Sequence, residues 1–247
     1  MTLAGLLLIG VPLAFNASFA LLAARFDYPD ILRRPTDEVL ERFLQGGTGL
    51  VLAWWSFAIA AVLFAPLVVM LSEAISDADG TLLAVATTVG VLASAVQFLG
   101  LVRWPFLVPY LARVAAEPDA GPARRETVDI VFQSFNRYLG VAVGEHLGYA
   151  LTGAWSILTG VALIETDAAP GWIGVIGVVI GPLVLISSAE FLGRFEPSGW
   201  SLRGQVTPVA YILWSVWLVA IGWHSSSSRR GASTDGPGRS PSCLKSR

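Results

Sequence analysis

Six long apolar runs, near residues 3–24, 49–72, 81–102, 139–164, 171–193 and 206–223, limit what this chain can fold into more than any other feature. A hydrocarbon core about 30 Å thick is crossed by roughly 20 apolar residues wound as a helix, and each run meets or approaches that length. Lipid offers a bare backbone no hydrogen-bond partners, so six such runs predict an all-α, polytopic integral membrane protein. Composition agrees: 54% of residues are hydrophobic, only 14% are charged, and the mean hydropathy is +0.65. That leaves too little polar surface to face water. The first run lacks the basic start of a secretion signal and stays apolar for longer than one, so it reads as a retained span.

Arginine sets the expected orientation. Arg25, Arg33, Arg34 and Arg42 follow the first run, Arg103, Arg113, Arg124, Arg125 and Arg137 follow the third, and Arg194 and Arg203 follow the fifth. The short links "SDADG" and "ETDAAP" carry none, and their brevity predicts antiparallel hairpins. By the positive-inside rule the arginine-rich links are cytoplasmic and both termini lie outside the cell membrane. The tail 224–247 carries five basic residues and opposes this, but its Ser, Gly and Pro content cannot build a core and predicts a disordered appendage.

Two links look like helices rather than connectors. In "RRPTDEVLERFLQGG", Thr36 suits an N-cap, Asp37 and Glu38 suit a first turn, and Val39, Leu40, Phe43 and Leu44 gather on one face. In "ARRETVDIVFQSFNRYLG", Val128, Val131, Phe132, Phe135 and Leu139 keep helical spacing into the fourth run. The expectation is two cytoplasmic amphipathic helices packed against neighbouring spans.

Much chemistry is excluded. The formal charge of −2 gives no reason to expect nucleic acid. The only lysine, Lys245, lies in the tail, so no span offers a Schiff base, and Cys243, the only cysteine, cannot form an intrachain disulfide. Phosphate-loop, nucleophile-elbow and zinc-helix motifs are absent. His146 is the only histidine within a run, which argues against a bis-histidine haem and leaves a single axial ligand open. No cofactor, metal or catalytic residue is expected, and the protein reads as non-enzymatic. Gly140, Gly144 and Gly148, and again Gly177 and Gly181, are spaced to admit a close helix, with a span of the same chain favoured over a second copy. Pro66 and Pro182 are expected to bend their helices, and Trp104, Trp172, Trp200 and Trp223 to anchor at the interfaces.

The stretches "FDYPDILRRPTDEVLERF", "QFLGLVRWPFLVPYLAR" and "NRYLGVAVGEHLGYALTGAW" together resemble a family of bacterial multipass membrane proteins known as a domain of unknown function. The resemblance runs to about Trp223. It implies an integral membrane protein and, with no activity established for that family, brings no site residues with it.

Polar residues inside the runs are the best pointer to function, since an intramembrane ionisable group is costly to keep. Asn16, Gln97, Glu145, His146 and Glu190 all fall in the arginine-bearing half of their runs. Arg103 lies within reach of Glu145, and Tyr138, Tyr149 and Thr152 share its helix face. Glu190 has Arg194 one turn away. The plainer reading is that these groups tie helices together by hydrogen bonds. The functional reading is a polar pocket at cytoplasmic-leaflet depth, formed by Glu145, His146, Gln97, Arg103, Asn16 and Tyr149, for a small ligand or proton-coupled substrate. A different class of answer is a structural or regulatory subunit whose faces engage a membrane protein partner or a second copy.

Overall fold

The computed structural model describes the backbone of residues 3–192 and 203–234 and the side chains of 3–192 and 207–224. Helices fill it, and no strand occurs among the described residues. α1 (Leu3–Phe26) leads through a 3-10 turn (Asp30–Arg33) into α2 (Thr36–Ala74), then α3 (Gly80–Phe106), the short α4 (Val108–Ala115) and α5 (Pro122–Phe135). A π-helical segment, Asn136–Leu147, joins α5 to α6 (Gly148–Ile164). α7 (Gly171–Ser187) ends in a 3-10 turn (Ser188–Phe191), and α8 (Arg203–Thr234) follows.

Six helical stretches are long and apolar enough to cross a membrane. They close into a ring in which α1 lies beside α2 and α8, α3 beside α2 and α6, and α7 beside α6 and α8. Asp79 caps α3 by accepting from the Leu82 N–H at 2.8 Å, which fixes the tight turn between α2 and α3.

Two apolar cores stack along the ring. At the short-link end, Leu8, Phe64, Leu67, Trp155, Trp214 and Trp217 pack together. At the arginine-rich end, Phe26, Ile31, Val39, Phe43, Trp54, Trp104, Val108, Val128 and Phe132 do so. The second core is where the amphipathic segments spend their apolar faces, with Leu44 and Phe135 left exposed at their edges. α2 joins such a segment to its span, and Gly47, at φ 55° and ψ −153°, breaks the helix between them. Such a backbone angle favours glycine.

Several expectations need correction. Thr36 is the first helical residue after Pro35 rather than the N-cap, and its hydroxyl instead bonds Asp129 and accepts from Gln133 at 3.0 Å, pinning α2 to α5. Trp104 is not an interface anchor: it is 1% exposed and stacks on Trp54 at 4.3 Å and 7°, because the folded-back links cover it. Trp172 and Trp223 do face outward, at 58% and 69% exposure. Pro66 and Pro182 sit inside helices whose backbone shows no non-helical residue at either proline. Trp200, Arg194 and the tail beyond Thr234 lie outside the described residues.

Candidate functional site

The site begins where α3 crosses the helix that α5 starts. Gly100 and Gly144 meet backbone to backbone, such that a Cβ on Gly100 would stand 2.6 Å from the Gly144 Cα. On one side of this contact Gly148 leaves room for Gln97, whose Cγ would lie 2.8 Å from an added Cβ. On the other, Gly140 leaves room for the guanidinium of Arg103. The glycine spacing of 140, 144 and 148 is thus used by a span of the same chain.

Arg103 is 8% exposed. Its Nη1 donates to the Gly100 carbonyl, its Nη2 to Asn136 Oδ1 at 2.9 Å, and its Cζ lies 5.4 Å from the Trp104 ring. Its Nε has no hydrogen-bond partner. A buried cation is tolerated only when paired or hydrogen-bonded, and the field of the Glu145 carboxylate also acts on it.

Asn136 reaches Arg103 because of how the helix winds. Bonding from i to i+5 puts more than four residues in each turn, so Asn136 and Glu145, nine apart, fall on one face. In an α-helix that spacing would set them on opposite faces and bring Tyr138 beneath Glu145. The expected strip is corrected accordingly. Tyr138 is 70% exposed and points away, whereas Asn136 takes its place. Thr152 is buried and accepts from Gln97 Nε2 at 3.1 Å.

Between the two apolar cores, these residues open onto a cavity of about 660 Å³. Five of the six candidates, Asn16, Gln97, Arg103, Glu145 and Tyr149, line it. His146 does not. Successive helical residues face apart, and its Nδ1–H donates to the Ser188 carbonyl at 2.9 Å, tying this helix to the end of α7. Glu190 lines the cavity too, paired with Arg33 at 3.2 Å, a residue from the first link; the expected neighbour Arg194 is not described.

Sequence reasoning missed Tyr28, Arg33, Asn136 and Tyr211. Tyr28 belongs to the turn after α1, where Asp27 takes a φ of 58° and the Tyr28–Pro29 bond is cis. That turn sends the ring inward, edge-on to Trp54 at 5.0 Å and to Phe19 at 5.5 Å. Burial first, and the Glu145 carboxylate second, push its hydroxyl above the ordinary 10.0, so it stays protonated and available as a donor. Nearby, Arg34 bridges Glu38 at 2.5 Å and Asp27 at 2.6 Å, and the Glu38 hydrogen bond holds its charge more firmly. Tyr149 and Tyr211, ring centroids 4.8 Å apart, also line the cavity.

The result is an aromatic chamber with a few convergent polar groups, the usual make-up of a small-molecule site. Among the described residues, no group of three or more His, Cys, Asp or Glu stands ready to hold a metal ion. The profile of a family described as a domain of unknown function, DUF4386, matches residues 3–222. The chain belongs to that family. The DUF4386 region takes in every residue of the cavity wall. No curated protein and no solved structure matches the chain.

Proposed function

We propose that this DUF4386 protein is a non-enzymatic membrane protein that binds a small ligand, or a proton-coupled substrate, in the chamber between its two apolar cores. The observation that carries the reading is the convergence of Glu145, Arg103, Gln97 and Asn16, from three helices, on one cavity whose volume lies within the range of known ligand sites. Side chains needed only as helix ties would fill their surroundings. Here they border open space. The arginine distribution supports placing the chamber toward the cytoplasmic leaflet, with both termini outside. The subunit alternative draws its support from Phe106, Tyr110, Ile130 and Tyr138, large side chains exposed at 57% to 70% near α4 and α5.

Native mass spectrometry of the protein released from lipid nanodiscs tests the proposal. The native chain should retain a small molecule that Glu145→Gln and Gln97→Ala lose while melting near the native temperature. A chain that carries no small molecule but co-purifies with a stoichiometric second polypeptide would favour the subunit.

A further inference from the structure

α1 and α8 run antiparallel and are sealed along only part of their length. Toward the short-link end their backbones touch: a Cβ on Gly222 would stand 2.8 Å from the Leu8 Cβ and 3.2 Å from the Gly5 carbonyl. Midway, Asn16 Nδ2 donates to Ser215 Oγ at 2.8 Å and clasps the pair. Past the clasp the seam parts. Phe19 and Ala20 on α1, and Pro208 and Ile212 on α8, line the cavity and are exposed, Phe19 at 36% and Ile212 at 55%.

The gap faces hydrocarbon. Phe19 lies seven residues before the end of α1 at Phe26, about 10 Å inward at the helical rise of 1.5 Å per residue. The surface beside it is apolar, with Leu13 exposed at 59%, Val209 at 53% and Val216 at 60%. Across the chamber the lining is polar, with Gln97, Arg103, Asn136 and Glu145. A solute crossing this gap must leave lipid on an apolar surface and present hydrogen-bonding atoms at its leading end. The volume suits one drug-sized molecule, hence one chain rather than two.

We infer that the chamber is loaded from the bilayer, through the gap between α1 and α8, by a single-chain amphiphile. Its small polar head reaches Gln97, Arg103 and Glu145, and its chain lies between Phe19 and Ile212. This rests on the chamber being a ligand site and narrows the class of ligand.

A long-chain alcohol carrying a mid-chain diazirine, photolysed with the protein in phosphatidylcholine nanodiscs, tests the route. Peptide mapping should find adducts at Tyr149 inside the chamber and at Val179 on the outer face of α7. Ala20→Trp and Ile212→Trp place an indole across the gap at positions that are already exposed. In each, the Tyr149 adduct should fall about tenfold and the Val179 adduct should persist, which also reports a folded, embedded protein. If Tyr149 is labelled equally in the plugged variants, the chamber fills from the aqueous side: lateral entry is overturned and the ligand site stands. If Tyr149 is unlabelled in the native protein while Val179 is labelled, the amphiphile is the wrong class, and the retained-ligand measurement alone decides whether the chamber binds anything.

Discussion

Two glycine seams in this bundle end very differently. Between α6 and α7, a Cβ on Gly153 would stand 2.5 Å from the Gly181 carbonyl, and one on Gly160 would stand 2.7 Å from the Gly174 carbonyl. Both helices are regular there, and the contact is backbone on backbone, the setting for weak Cα–H to carbonyl bonds and close van der Waals packing. Between α3 and the π-helical segment only Gly100 and Gly144 touch in that way. Gly140 and Gly148 are covered by the side chains of Arg103 and Gln97, and a cavity opens beside them. Small residues at helical spacing therefore announce a close approach without saying what approaches. A carbonyl seals a seam, whereas a long polar side chain props it open.

The sharpest way to break the contrast is Gly153→Val. Neither carbonyl nor backbone nitrogen can yield to the added atoms, so overpacking should cost about 3 kcal/mol, read as a large drop in the melting temperature of detergent-purified protein. A native-like melt would show that the α6–α7 seam is not as tight as described. Next comes Gly140→Ala, which drives a Cβ into the Arg103 guanidinium at a cost of about 2 kcal/mol. In an Arg103→Ala background the obstacle is gone, and the cycle should show coupling of about 1 kcal/mol or more. Strict additivity would mean that Arg103 does not cover Gly140. A smaller effect is expected at the edge of the chamber. Arg33 and Glu190 have side chains 30% and 7% exposed, so Arg33→Ala should cost about 1 kcal/mol after allowing for solvent screening of the arginine, and adding Glu190→Gln should recover part of it. A loss unchanged by Glu190→Gln would break the pairing.

The smallest effect concerns pH. Because the Tyr28 hydroxyl is raised in the folded protein, the unfolded chain gives up this proton first, at the ordinary 10.0. Stability is therefore unaffected by this group below that pH and falls as pH rises above it. Tyr28→Phe should flatten the alkaline loss in melting temperature. An identical alkaline profile would place the hydroxyl in water.

The parts of this molecule that were readable in the sequence are those governed by single-helix rules. Six spans follow from apolar length, and the burial of Val39, Phe43, Val128 and Phe132 follows from helical spacing. The shared depth of Asn16, Gln97 and Glu145 follows from measuring each run from its arginines, and all three stand on one cavity. What escaped depends on departures from such rules. Adjacency in the sequence groups His146 with Glu145, although neighbours on a helix diverge. An α-helical count places Tyr138 under Glu145, and the π winding breaks that count. The sequence points Trp104 to the interface because nothing local shows that the turn holding Tyr28 and the start of α2 fold back over it. Arg33 counts in the sequence only toward topology, and its pairing with Glu190 has no signature in either segment.

The π winding also bears on how this helix tolerates change in its length. A helix with a wider turn is shorter for the same number of residues, so Asn136–Leu147 stores chain that regular winding would pay out along the axis. In a span clamped between lipid headgroups, removing one residue usually drags everything beyond it out of register. Here the stored residue can be given up by tightening a turn, and α6 would keep its place against α7. What would change is local: Asn136 would swing from beneath Glu145, and Arg103 would lose the side chain that holds its outer nitrogen. The same segment that shapes the chamber is thus the one stretch of this helix where an insertion or deletion would be felt as an altered pocket rather than a displaced span.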